Sequence, residues 1–337
     1  MSATRILIIR FSSIGDIVLT TPVIRRLYEQ LDGEVVIHYL TKKAYAPLVE
    51  SHPYVEKVYT IEKATAEVMS DLKAEGYDYI VDLHRNIRSA MVKRELKVLA
   101  FTLDKLNFQK WLLVNFGINR MPDKHIVDRY LDTIKAFGTE DDGKGLELFL
   151  PEGVAHKVDT SQILPAGDFC ALAVGGAHEG KRMTRAQLLE ITRSAPIPVV
   201  LLGGKEDMAV AKWLTDQCPT NVTDTCGTLS IMESAAVIQK ATLVVAGDTG
   251  LMHIAAAFAK CVISVWGCTT PSLGMYPYRP HPASSILEPE GLTKRPCSKL
   301  GNSCKYGKGE ERCISHIPPQ RIIDALTEAL STIQKEP

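Results

Sequence analysis

The chain has 337 residues, 45% of them hydrophobic and 23% charged, with 39 basic side chains against 39 acidic ones. That length predicts about two domains of an ordinary globular protein, and the zero net charge excludes a surface built as a whole for nucleic acid. No run of about 18 apolar residues exists to make a helical membrane span, and the opening MSATRILIIRF enters a strand pattern without a charged n-region or cleavage site, so a cytoplasmic location is expected.

Arg5 to Arg10 (RILIIR) reads as a buried first strand. Asp16 to Glu29 carries apolar positions at helical spacing, and Pro22 predicts a kink or a fresh start near Thr21. Glu34 to Leu40, Val55 to Ile61 and Tyr79 to Leu83 read as strands, with a helix over Ala64 to Glu75 ended by Gly76. Residues 84–129 stand apart: ten Lys or Arg against four acids give a local +6, interleaved with Phe101, Phe108, Trp111, Leu112, Leu113, Val114 and Phe116. Such a stretch is either a solvated helical face over a core stripe or a surface for an anionic, amphipathic partner such as a membrane.

Residues 139–168, rich in Gly, Pro and Asp, read as a linker. A second series follows: strands at Phe169 to Val174, Pro198 to Leu202, Leu243 to Ala246 and Val262 to Trp266. Helices are expected over Arg185 to Ser194, Ala209 to Gln217, Ser230 to Ala241 and Leu251 to Ala259, with a last amphipathic one from Pro318 to Ile333. Strand and helix alternate throughout, which predicts an α/β protein with parallel sheets covered by helices.

The chemistry-bearing residues fall where strands end. The first strand runs into Phe11-Ser12-Ser13-Ile14-Gly15-Asp16, which is neither G-x-G-x-x-G nor a Walker A loop. Asp16 is there either as a first-turn residue stabilised by the helix dipole or as a general base. In the second half, Gly175-Gly176-Ala177 leads to Lys181-Arg182, either a solvated pair or cations for diphosphate oxygens. Gly203-Gly204-Lys205-Glu206 places a carboxylate suited to a ribose diol. Gly247-Asp248-Thr249-Gly250 opens a small-residue helix with His253 in its first turn, the geometry that binds phosphate. Of eight cysteines, Cys170, Cys218, Cys226, Cys261 and Cys268 read as buried thiols. Cys297, Cys304 and Cys313 share one loop as free thiols, as a Cys304–Cys313 disulfide, or as a zinc site completed by His316.

The segments FSSIGDIVLTTPV, YDYIVDLHRNIRS, LLGGKED, GTLSIMESAAVIQKATLVVAGDTGLMHIAAA and VISVWGCTTP resemble glycosyltransferase family 9, the lipopolysaccharide heptosyltransferases, in order along nearly the whole chain. The loop PCSKLGNSCKYGKGEERCIS resembles the cysteine-bearing loop of many members. The resemblance implies a GT-B fold, two Rossmann-like domains with parallel sheets facing across a cleft. It implies an acceptor domain at 1–155, a nucleotide-sugar domain at 165–317, and a final helix, 318–337, crossing back to the first. It implies inverting transfer of heptose from ADP-heptose to the Kdo/heptose inner core on lipid A, at the inner face of the inner membrane.

By the same resemblance Asp16 is the base. Gly176, Lys181, Glu206, Asp248, Thr249, Gly250 and His253 bind the donor, and Ser13, Arg85 and Arg88 face the acceptor. No cofactor and no metal are expected: no D-x-D motif stands beside a strand end, and helix dipole, Lys181 and backbone N–H groups suit a diphosphate leaving group. Met183 departs from the aromatic residue common after the basic pair, and residues 101–128 align with nothing in the family. Two rival readings are a GT-B transferase using another nucleotide sugar and a non-catalytic nucleotide-sugar-binding protein.

Overall fold

The computed structural model describes residues 3–335. The chain divides into two compact units, one formed by residues up to Lys105 with Lys124–Pro151, the other by Leu106–Asp123 with the residues from Glu152 onward.

The first unit holds β1 (Thr4–Ile9), β2 (Val35–Lys42), β3 (Lys57–Ile61), β4 (Tyr79–Asp82) and β5 (Leu99–Thr102). They form a parallel sheet in the order β3-β2-β1-β4-β5. Ile6 to Ile9 of the central strand are fully buried, as expected for a strand covered on both faces. Strand order reverses between β1 and β4, so the crevice beyond their carboxyl ends is where such a sheet binds ligands.

The helix expected over Asp16 to Glu29 is two helices, Ile14–Val18 and Thr21–Gln30. Pro22 has no N–H to continue the first, and the hydroxyls of Thr20 and Thr21 donate to Ile17 O and Val18 O. On the second helix Arg25 is buried, and its Nε lies 2.7 Å from Asp142 Oδ2, so part of the Gly- and Asp-rich stretch after residue 139 is pinned to this unit. Ala64 to Glu75 holds a 3-10 turn, Thr65–Glu67, and then a helix, Met69–Ala74. The Glu67 carboxylate accepts from the N–H groups of Glu62, Lys63 and Ala64, which fastens the start of that turn.

The second unit holds β6 (Cys170–Ala173), β7 (Val199–Leu202), β8 (Val222–Asp224), β9 (Leu243–Gly247), β10 (Cys261–Val265) and β11 (Ser285–Leu287). The parallel order β11-β10-β9-β6-β7-β8 reverses between β6 and β9. Its core joins Leu172, Val245 and Ile263 to Leu188 and Ile191, and to Ile322, Leu326 and Leu330 of the last helix, Pro319–Ile333. The helix Asn107–Phe116 also belongs here, where Lys299 Nζ donates to Asn107 Oδ1 at 2.8 Å. The strands β5, β8 and β11 have three or four residues each and lie at sheet edges, too short to show a period in sequence.

Candidate active site

In the first unit, the residues after β1 and β4 meet at the switch point. Asp16 lies in the first turn of Ile14–Val18. Its Oδ2 accepts from the N–H and the hydroxyl of Ser13, at 3.2 and 2.9 Å. Its Oδ1 lies 2.7 Å from Nη2 of Arg10, and its side chain keeps 21% exposure. Arg10 is itself fixed: Nε donates to Ser12 O at 2.7 Å, and Nη1 to Leu83 O at 2.6 Å and to the Tyr130 hydroxyl at 3.0 Å. Burial opposes its charge, but the Asp16 carboxylate together with the Tyr130 and Tyr39 side chains outweighs that and holds the guanidinium above its ordinary value.

Asp82, at the end of β4, accepts from the N–H groups of His84 and Arg85 and meets Lys93 Nζ at 2.8 Å, so the loop after β4 is held from below. Burial, with Arg10 and Lys105 nearby, pushes the His84 ring down to about 4, which leaves it neutral at neutral pH. Arg85 and Arg88 are exposed. Arg85 Nη1 pairs with Asp104 Oδ1 at 2.9 Å, and Arg88 Nε donates to Lys63 O at 3.3 Å.

Two residues here were missed in the sequence. Arg10 closes an otherwise apolar strand, and a charge at the end of a buried run was the available signal. Arg129, 6% exposed, has no hydrogen-bond partner for any of its three guanidinium nitrogens, and burial holds its pKa below the ordinary value. The Asp104 carboxylate acts on it only through space, and a buried guanidinium without a hydrogen-bonded anion is costly, so it marks a place where an anion is expected. As one of ten cations between 84 and 129, it carried no local signal.

In the second unit, the turns after β6 and β9 converge. Lys181 Nζ lies 2.7 Å from Asp248 Oδ2, with the carboxylate only 8% exposed, so Lys181 is an ion-pair partner and not a solvated lysine. Arg182 Nε donates to Gly176 O at 2.7 Å. A Cβ on Gly176 would come within 3.3 Å of Thr249 Cγ2, which brings the two turns together. Thr249 precedes the helix Gly250–Ala257 in an extended conformation, makes no side-chain cap, and its buried hydroxyl has no hydrogen-bond partner. His253 is buried on the same helix. The first N–H groups of that helix, an unused hydroxyl and a lysine therefore gather at one place, the arrangement an anion needs.

Glu206 is exposed on the neighbouring 3-10 turn, Lys205–Asp207. The structure adds Asp207, which is buried, accepts from Gly204 N–H at 2.9 Å and faces Arg182 Nη1 at 3.7 Å. Burial holds this carboxyl above its ordinary value.

Close approach explains one glycine: a Cβ at Gly247 would lie 2.3 Å from Lys181 O. Gly247→Ala is therefore expected to push the Lys181 turn aside, at a cost of about 1–3 kcal/mol, and to lower both Tm and the affinity of this turn for an anionic ligand. A melting curve and a titration check this; wild-type values in both would show that the turn has room to move.

The loop cysteines gather as well. Cys297, Cys304 and Cys313 meet Cys268, with all four sulfurs within 4.8 Å of one another. His316 is exposed and lies outside this group, so the fourth place that the sequence suggested for it belongs to Cys268, a residue read there as one of the scattered buried thiols.

Two doubly wound parallel units, with polar residues gathered at each switch point, define an α/β protein of Rossmann-like halves. Residues 65–288 match glycosyltransferase family 9 (heptosyltransferase). The chain belongs to that family: it is a glycosyltransferase of the GT-B fold class. It is 25% identical to lipooligosaccharide heptosyltransferase 2 of Haemophilus influenzae, over 97% of this chain and 99% of that one. Among solved structures, Escherichia coli ADP-heptose lps heptosyltransferase II covers 98% of this chain and 100% of its own, with a TM-score of 0.75 and 18% identity. Escherichia coli heptosyltransferase WaaC with ADP covers 97% and 100%, with a TM-score of 0.67 and 21% identity.

Proposed function

We propose that the chain transfers heptose from ADP-heptose to the Kdo/heptose inner core of lipopolysaccharide, inverting the anomeric centre. The first unit takes the acceptor and supplies Asp16 as base, and the second binds the nucleotide sugar. The observation that carries this reading is the Lys181–Asp248 pair beside the unused Thr249 hydroxyl at the start of Gly250–Ala257. A diphosphate leaving group develops negative charge, and preorganised donors aimed at it lower the barrier without a metal. The names of the related proteins, heptosyltransferases of lipopolysaccharide or lipooligosaccharide and a heptosyltransferase with ADP, support heptose and adenine over other donors.

In the transfer, Asp16 takes the proton of the acceptor hydroxyl, that oxygen bonds to the anomeric carbon, and the bond to the diphosphate breaks to release ADP. Gly176, Gly250 and His253 complete the donor site, with Glu206 at the ribose. Ser13, Arg85 and Arg88 face the acceptor, and Arg129 is suited to one of its carboxylates or phosphates. No described helix is long and apolar enough to cross a membrane. A peripheral place at the inner face of the inner membrane fits Phe108, Trp111 and Phe116, which are 66, 51 and 62% exposed around one helix with Lys110 among them.

Thermal shift against ADP, UDP, GDP and CMP tests this. A ligand at 100 times its Kd adds about 2.7 kcal/mol, a rise of about 5–10 °C. A selective rise with ADP is expected. A rise with UDP or GDP alone would overturn ADP-heptose as donor, and none with any nucleotide would overturn the donor site.

A further inference from the structure

Behind the Lys181 turn, Cys268 lies just beyond β10, and Cys297, Cys304 and Cys313 come from the loop that follows β11. We propose that these four sulfurs bind one thiophilic divalent ion, zinc or iron(II), and that the ion holds the Lys181 turn in the shape the nucleotide needs. The second clause rests on the donor site proposed above; the first does not.

The geometry fits a single ion. A tetrahedron with metal–sulfur bonds of about 2.3 Å has edges of about 3.8 Å. Here Cys297 and Cys304 Sγ are 4.0 Å apart, Cys268 and Cys313 Sγ are 3.3 Å apart, and all four fall within 4.8 Å. All four cysteines are free, and the two spacings are far beyond a sulfur–sulfur bond of about 2.05 Å. A set of four sulfurs with no carboxylate or imidazole selects zinc or iron over magnesium or calcium. The space enclosed is also too small for a multi-iron cluster.

The surroundings favour thiolates. The Cys313 N–H donates to Cys304 Sγ at 3.3 Å, and a backbone donor of this kind steadies a thiolate. Binding a divalent ion displaces four thiol protons and moves no electron, leaving a site of net charge −2. Residues 294–312 bring six basic side chains (Lys294, Arg295, Lys299, Lys305, Lys308, Arg312) against two acids, which offsets that charge.

The coupling to Lys181 runs through backbone. Cys268 N–H donates to Gly180 O at 2.9 Å, Cys297 N–H to Cys268 O at 2.7 Å, and Gly180 N–H to Gly301 O at 3.0 Å. Arg312, next to Cys313, donates to Arg182 O at 3.3 Å. A Cβ at Gly180 would lie 2.6 Å from Cys268 Sγ, and one at Gly301 would lie 2.7 Å from Lys181 Cγ. The cysteine loop is thus packed directly against the residues on either side of Lys181, and fixing one fixes the other.

The test is elemental analysis of the full chain, purified after growth with added zinc and iron. About one ion per chain is expected, and cobalt(II) in its place should give the thiolate charge-transfer and visible bands of a tetrahedral four-sulfur site. Cys313→Ser should lose the ion. To separate loss of the ion from loss of the fold, the wild-type chain is also stripped with a chelator under reducing conditions. Tm should then fall and ADP binding weaken about tenfold, with zinc alone restoring both. Less than a tenth of an ion per chain after supplementation overturns the site, whether the four thiols titrate as free or two form a disulfide. One ion whose removal leaves ADP affinity unchanged overturns the coupling to Lys181. Absence of any ADP shift in the metal-loaded chain instead removes the donor site, with the ion count standing on its own.

Discussion

Asp16→Asn is expected to lower kcat by about 10²–10⁴, the usual contribution of a positioned general base, while the thermal shift with ADP persists. Asparagine keeps the shape of the side chain and its oxygen can still accept from Ser13 or Arg10, but the amide takes no proton at neutral pH. The carboxylate has about four lone-pair directions. Ser13 N–H, Ser13 hydroxyl and Arg10 are among its partners, and they fix the plane of the group. Asn is the informative substitution because alanine would leave the buried Arg10 without its anion, at a cost of about 3–5 kcal/mol that belongs to folding and not to catalysis. Single-turnover rates with ADP-heptose and a lipid A acceptor carrying Kdo check the expectation. Turnover within a few-fold of wild type would reduce Asp16 to a helix-capping residue.

The fold was legible where burial is complete. A strand covered on both faces must be an unbroken apolar run, and ILII of β1 and LVVAG of β9 are such runs. The edge strands were not legible, because a strand such as Val222–Asp224 ends before any period can show. The helix break at Leu19-Thr20 was half legible: Pro22 announced it, but the threonine hydroxyls that close the first helix announce themselves only in three dimensions.

The site followed the same division. Turns after strands are local, so Ser13, Asp16, Lys181 and Asp248 to Gly250 could be singled out along the chain. What each side chain touches is not local. The sequence showed Lys181 as a cation and Asp248 as a carboxylate 67 positions later, without showing that they pair. It could not show that Arg129, among ten similar charges, is the one buried without a hydrogen-bond partner. Nor could it bring Cys268, just beyond β10, to the loop cysteines 29 to 45 positions later. Local chemistry was readable, and pairing across the sheet was not.

The Lys181–Asp248 pair leads to the second large effect. Lys181→Ala is expected to weaken ADP binding about 10–100-fold, because a hydrogen bond to a charged group contributes about 1.5–3 kcal/mol and each 1.4 kcal/mol is tenfold. Two losses add in this variant. The diphosphate loses a cation, and Asp248, 8% exposed, becomes an unpaired negative charge at the mouth of the same turn, where it repels the ligand. The two can be separated. If repulsion matters, Lys181→Ala with Asp248→Asn should bind ADP more tightly than Lys181→Ala alone, since the asparagine keeps the shape without the charge. If the double variant binds no better, the whole loss is the missing phosphate contact, and Asp248 serves only to aim the lysine. Isothermal titration of the three chains with ADP decides between these. Wild-type affinity in Lys181→Ala would remove Lys181 from the donor site and leave it as the structural partner of Asp248, with phosphate held by the helix that starts at Gly250 alone.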